Sequence, residues 1–387
     1  MKRVFFPILL FLVYVGSVFA QSNSTWWYTF EQGKQMYRRG DYGNALIAFG
    51  DAKKQRRAMY DRLERDFIDL LSISEVRRLG DSLDLIERYI RDYGHVGAAD
   101  ALRELRYRYP NETFRNSASA ALTALGTLKE YPEADHWIGE IYLMEGELNL
   151  AIGQYQKVHD QQQRNLLANP DFAIETLYKI AAIRKTRQEY NEMERVLLSI
   201  LSADKMWAGK NLEHDPMITR TLDHEGGDSF IKQSMTRTLE SNGLNRFIVQ
   251  YRYNSTEFES AHKQLGFYYY QSGRHAWAQE HLMFAFLIQN SIIIDELKRT
   301  RFNYTFETLD DLASQMNWNQ VLTDYADKKE YYKTAYYLAA SLYANGKATS
   351  ARGIWSFLAQ QSRAGEWQNR AIGQLRSPHI ERALEMP

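Results

Sequence analysis

Apolar and small residues recur along the chain at helical spacing, and they do so in pairs. In Gln32–Ala52 the pattern predicts two short helices joined at Gly40-Asp41-Tyr42. Gly33 and Met36 share a face of the first; Ala45, Phe49 and Ala52 share a face of the second. A small residue on each helix lets the backbones approach closely, and one large apolar side chain fills the space beside them. Gly40 suits the end of the first helix, where a left-handed backbone is cheap only without a Cβ.

The same spacing returns three times. Ile138-Gly139, Tyr142, Gly146, Ala151, Tyr155 and Val158 carry it, as do Leu265-Gly266, Tyr269, Gly273, Ala278, Leu282 and Ala285. Leu338-Ala339, Leu342, Gly346, Ala351, Trp355 and Leu358 form the fourth copy. A degenerate copy around Ile180-Ala181, Met193 and Leu197 keeps the phase but has Gln188-Glu189-Tyr190 where the others have a turn glycine. Another runs from Leu79 to Pro110. The set resembles the tetratricopeptide repeat (TPR), a helix–turn–helix unit of about 34 residues. The resemblance implies an all-α fold, a superhelical α-solenoid of helix-turn-helix repeats.

Between the copies the pattern varies. Met59, Leu63, Phe67 and Leu70-Leu71 extend the helix after Ala52 to about Ser72. Breakers crowd residues 205–254, with Asp215-Pro216, Gly226-Gly227 and Asn242-Gly243, so either an irregular repeat or a hinge is expected there. Phe230–Leu239 reads as one helix within it; Phe247–Tyr253 is open between helix and strand, and the flanking helical repeats favour helix. Helical repeats are therefore expected over 21–204 and 255–387. Trp367, Ala371 and Leu375 share one face of a closing helix, and the tail after Pro378 is expected to be mobile.

The first 20 residues differ from all this. Lys2 and Arg3 precede an apolar run, and Val18-Phe19-Ala20 precedes Gln21. This predicts a secretory signal peptide cleaved near Ala20–Gln21. An uncleaved anchor is the alternative, but spanning takes about 20 apolar residues. The chain has no Cys, which excludes disulfides, thiolate catalysis and a lipidated cysteine. A large exported chain without cysteine suits a bacterial periplasm, where the sequons at Asn23, Asn111, Asn254 and Asn303 would be silent. No stable membrane span remains after cleavage. Basic and acidic residues balance at 48 each, which gives no basis for a nucleic-acid partner. The Lys53–Arg57 run reads as a solvated helix face beside Asp51, Asp61 and Glu64.

Catalytic patterns are weak, and no cofactor or metal is expected. His214-Asp215 and Asp223-His224-Glu225 lack further partners for a metal. Glu259-Ser260 is similar to the start of the lytic transglycosylase motif, but Gly266-Phe267-Tyr268-Tyr269 follows and the repeat register already explains Ser260 and Gly266.

A binding role is the stronger reading. The TPR resemblance implies that first helices line a concave face. Once the core positions are set, periodicity puts a second stripe beside them. It carries Trp27, Phe30, Lys34 and Tyr37; then Tyr178 and Lys185; then Lys263, Phe267 and Tyr270; then Lys333, Tyr336 and Tyr343. Tyr offers a large rigid surface with a polar tip, which suits an unidentified protein or peptide partner. The same tyrosines can instead pack between neighbouring repeats. The function expected is a non-catalytic scaffold in the cell envelope; a small-ligand carrier or transport accessory with an enclosed aromatic pocket is the alternative, and a peptidoglycan-acting enzyme a remote one. The Lys/Asn clamp by which some TPR proteins hold a terminal carboxylate is missing from this stripe.

Overall fold

The computed structural model describes residues 26–73, 126–164, 169–204, 207, 227–253 and 256–381. The expected signal peptide, the Leu79–Pro110 repeat and the His214 and His224 clusters lie outside the described residues. Those described contain helices and no strand. The chain divides into two compact units, one up to Gln188 and one from Glu189. The division falls inside the degenerate repeat, before the breaker-rich segment where an irregular repeat or a hinge was expected.

The first unit contains α1 (Trp26–Arg38), α2 (Tyr42–Ile73), α3 (Pro132–Met144), α4 (Leu148–Arg164) and α5 (Pro170–Thr186). Each packs on the next in chain order. The extended second helix ends at Ile73, one residue past its expected end. Asn169 caps α5 by accepting from the backbone N–H groups of Asp171 and Phe172, with Pro170 in the first turn.

The second unit contains α6 (Tyr190–Leu201), α7 (Gly227–Gln250), α8 (Glu259–Gln271), α9 (His275–Thr300) and α10 (Leu309–Asn317), followed by α11 (Gln320–Lys328), α12 (Tyr331–Ala344), α13 (Ala348–Gln360) and α14 (Glu366–Arg376). Here α8 packs on α6 and α9, α9 on α12, α12 on α13, and α13 on α14. Neighbouring helices thus pair in each unit, an arrangement of the α-solenoid kind. α7 breaks at Gly243 (φ 76°, ψ 178°), within the Ser241-Asn242-Gly243 breaker. α7 ends at Gln250, so Tyr251–Tyr253 is not helical as expected. Tyr253 instead turns its backbone N–H to Ser291 Oγ at 3.1 Å. α9 outruns its repeat by about three turns because Ile293, Ile294 and Leu297 extend its buried surface.

The register expected from the small residues is present in space. A Cβ at Gly33 would sit 2.7 Å from the Phe49 ring, at Gly139 2.9 Å from Tyr155, and at Gly266 2.5 Å from Leu282. Phe49, Tyr155, Leu282 and Trp355 are all fully buried, as are Ala45, Ala151, Ala278 and Ala351. Burying each large side chain contributes about 2–3 kcal/mol, and only a glycine or alanine opposite leaves room for it. The four turn glycines, Gly40, Gly146, Gly273 and Gly346, have φ of 74–79°. At the degenerate copy Gln188 takes φ 60° without being glycine.

Candidate functional site

In the first unit two residues of the expected binding stripe, Phe30 and Tyr37, pack within the fold. Phe30 is buried, with its ring 5.5 Å from Phe49 and 5.0 Å from Tyr131. Tyr37 is half-buried and meets Trp137 of α3 edge-on at 5.0 Å. Trp27 is exposed, and Tyr178 and Lys185 are half-buried. For Phe30 and Tyr37 the structure favours packing between neighbouring repeats.

In the second unit the stripe comes together. Lys263, Phe267, Tyr270 and Tyr336 are buried, and Lys333 and Tyr343 are half-buried. Their burial has two sources. Helix neighbours supply one: Phe267 and Tyr270 meet the Tyr337 ring at 5.4 and 5.0 Å, and Lys333 Nζ lies 4.8 Å from the Phe267 ring centre. Lys263 donates to the Lys329 carbonyl at 3.0 Å and pairs with Glu330 at 3.2 Å.

The other source is the non-helical segment Ser377–Glu381, which follows α14. Tyr343 donates its hydroxyl to the Pro378 carbonyl, and Tyr270 to the Glu381 carbonyl, each at 3.2 Å. Tyr336 donates to the Glu381 carboxylate. The tail expected to be mobile is placed by these bonds as far as Glu381. Three tyrosines of one stripe therefore grip backbone and side chain of one short stretch of polypeptide.

The Glu381 carboxylate sits in a socket. Gln374 Nε2 donates to Oε1 at 3.2 Å, and Arg370 approaches Oε2 at 4.0 Å. Tyr336 and Gln374 are fully buried, while Arg370 and Glu381 keep some exposure. Gln374 also accepts from the His379 backbone N–H at 2.9 Å, so one side chain fixes both ends of the turn. Burial, then the bond to Glu381, raises the Tyr336 hydroxyl above its ordinary pKa and keeps it a donor. Trp367 completes the wall, its ring 5.4 Å from Tyr336 and 5.8 Å from Tyr337, with Arg370 4.9 Å from its centre. A cleft of ≈ 390 Å³, lined by Lys333 among others, shares Trp367 with this wall.

Sequence reasoning missed Tyr337, Arg370, Gln374 and Glu381. Arg370 and Gln374 stand three and seven residues after Trp367, a helical signal that was readable. The closing helix buries Ala371 and Gln374 and leaves Leu375 half-buried, so its inner face is one position off the apolar reading. Glu381 had no signal at all.

Other polar clusters are bound up in the fold. Glu259 is fully buried between Lys329 at 2.9 Å and Gln289 at 2.8 Å, with Lys263 3.8 Å away. In the second unit Asp204 accepts from Tyr253 Oη and from the Trp207 backbone N–H. Nearby, His262 and His281 face each other Nδ1 to Nδ1 at 3.0 Å, under the Trp207 ring. In the first unit Asp135 lies at the floor of a ≈ 540 Å³ cleft, bonded to Lys53, to Lys157 at 3.0 Å and to Gln161 at 3.0 Å. Lys53, from the basic run, thus reaches inward, and burial lowers its pKa from the ordinary lysine value. Among the described residues no group of three or more His, Asp or Glu could hold a metal. Nor, among them, is any helix long and apolar enough to cross a membrane.

Fold and site define an all-helical protein of stacked helix pairs whose second unit seats a non-helical stretch of polypeptide on a tyrosine face. No protein-family model matches the chain. It is 23% identical over 186 residues to an uncharacterized protein of Treponema pallidum (strain Nichols), covering 48% of this chain. The match spans about half the length (49%) of that relative.

Proposed function

We propose that this chain is a tetratricopeptide-repeat scaffold, exported to a bacterial periplasm and without catalysis of its own. It holds a segment of a partner protein on the tyrosine face of the second unit, in envelope assembly or maintenance. The observation that carries the reading is the seat itself: Tyr270, Tyr336 and Tyr343 already hold polypeptide at Pro378 and Glu381. The Tyr270 and Tyr343 hydroxyls, directed at main-chain carbonyls, bind a segment with little regard to its side chains, and flanking rings add apolar area. The small-against-large contacts at Gly33, Gly139 and Gly266, with positive-φ glycines at four turns, support the repeat assignment. Similarity to a Treponema pallidum protein agrees with a bacterial source.

The test is site-specific photo-crosslinking in source cells. A photoreactive phenylalanine analogue replaces Tyr343, or, as a control on the same unit, the exposed Trp318. The expected result is one envelope protein joined through one defined segment from position 343 and not from 318. Fractionation should place the chain in the periplasm, with its N-terminus at Gln21. A chain retained in the cytoplasm, or crosslinks indifferent to position, would refute the reading.

A further inference from the structure

The seat in the second unit is occupied by the chain itself, and its best-built part is polar. Tyr336 and Gln374, both fully buried, direct a hydroxyl and an amide N–H at one carboxylate, and Arg370 supplies positive charge. Burying two donors and a partly buried guanidinium is costly unless an acceptor fills the space between them. A neutral amide there could still accept these bonds, and Gln374 also reaches Tyr336 Oη at 3.3 Å, but it would leave the Arg370 charge without its acid, so the socket favours a carboxylate. Arg370 reports the same: burial works against its charge, yet Glu381 holds its pKa above the ordinary value.

We infer that Tyr336, Gln374 and Arg370 form a carboxylate socket that Glu381 fills within the chain and a glutamate-bearing segment of the partner fills by displacing it. This rests on the scaffold reading and adds the partner's chemistry. Glu381 follows the last residue of α14, Arg376, by only five positions, so its effective concentration at the socket is on the order of millimolar or above. A partner segment must compete with that tether. Its apparent affinity falls by the fraction of molecules in which the socket stands open. Segment 377–381 therefore sets a threshold: only a partner that adds contacts along the tyrosines, or across the neighbouring cleft, displaces it.

The experiment uses the full chain and a synthetic probe, acetyl-Pro-His-Ile-Glu-amide, titrated by calorimetry. The unaltered chain should bind it weakly. Glu381→Ala should bind it about ten-fold more tightly or better, as the competing carboxylate is gone. Glu381→Gln keeps the shape and an accepting oxygen but loses the charge facing Arg370, so it should move the same way by a smaller step, which covers a failure of the alanine variant to fold. The probe with Gln in place of Glu should bind more weakly, and Arg370→Gln added to Glu381→Ala should abolish the difference between the two probes. Equal affinity for all chains, no binding to any of them, or equal binding of the Gln probe would overturn the inference. So would N-acetylglutamate amide binding as tightly as the whole probe, which would make the site a small-ligand pocket. These outcomes are separable from those of the crosslinking. A partner joined at position 343 alongside a flat titration leaves the scaffold and removes the socket; the reverse pair of results leaves a carboxylate socket closed by Glu381 and removes the partner.

Discussion

At the scale of the residue, missing atoms do as much as present ones. Gly266 lies against Leu282, where a Cβ would come within 2.5 Å of Cγ and 3.2 Å of the backbone nitrogen. A side chain can turn away, but that nitrogen belongs to a helix and cannot. Gly266→Ala should therefore destabilise the protein by about 1–3 kcal/mol in chemical denaturation, the cost of overpacking a filled core. Gly153→Ala is the control, because nothing lies within 4 Å of its added Cβ. In the middle of α4 it should stabilise by about 0.5–1 kcal/mol. Two substitutions of the same chemistry thus differ in sign, and equal effects would refute the close-approach account.

At the scale of the element, the first unit is held by a charge lock. Lys53 of α2 and Lys157 and Gln161 of α4 converge on Asp135 of α3. The carboxylate is fully buried while both lysines keep a path to water, so the two sides of the lock are not equivalent. Replacing both lysines by methionine strands a buried charge with one amide donor and should cost about 3–5 kcal/mol. Asp135→Asn leaves ammonium groups that can swing into solvent and should cost about 1–2 kcal/mol. Denaturation of the two variants measures the difference, and a larger loss for Asp135→Asn would show that the lysines carry the penalty.

The element scale also shows what the periodicity resolved. Paired helices, turn glycines and the long α2 were legible because each is built from contacts a few turns apart along the chain. Gln188 marks the limit of that legibility. It takes the positive φ of the missing glycine, yet a glutamine carries no signal for such a backbone. The end of α9 was missed for another reason. Ile293, Ile294 and Leu297 carry its buried face past the repeat length, with Asp295, Lys298 and Arg299 exposed opposite, and the repeat register alone gives no reason to expect that extension.

At the scale of the whole molecule, contacts concentrate within two units that meet in sequence at Gln188 and Glu189. Stability in stacked helix pairs is a sum of local terms, so damage should stay near its origin. Gly266→Ala should raise amide hydrogen exchange in α8 and α9 and leave α1–α4 at their native rates. A uniform rise across both units would mean that the chain opens as one.

Taken alone, the sequence determined the paired helices of the four strong repeat copies and which small residue faces which large one there; α11, the end of α7 and the end of α9 were not in it. It also carried the aromatic stripe, since a 3.6-residue period places side chains on a helix face without reference to the rest of the fold. Only the tertiary structure decided what that stripe does. In the first unit it packs Tyr37 onto Trp137; in the second it grips the segment that holds Glu381, 111 residues from Tyr270. The Asp135 lock joins residues 82 apart in the same way. A contact of that range follows from where whole helices come to rest, and chain folding can bring any two stretches together at a small added entropic cost. No local spacing records which pair it will be.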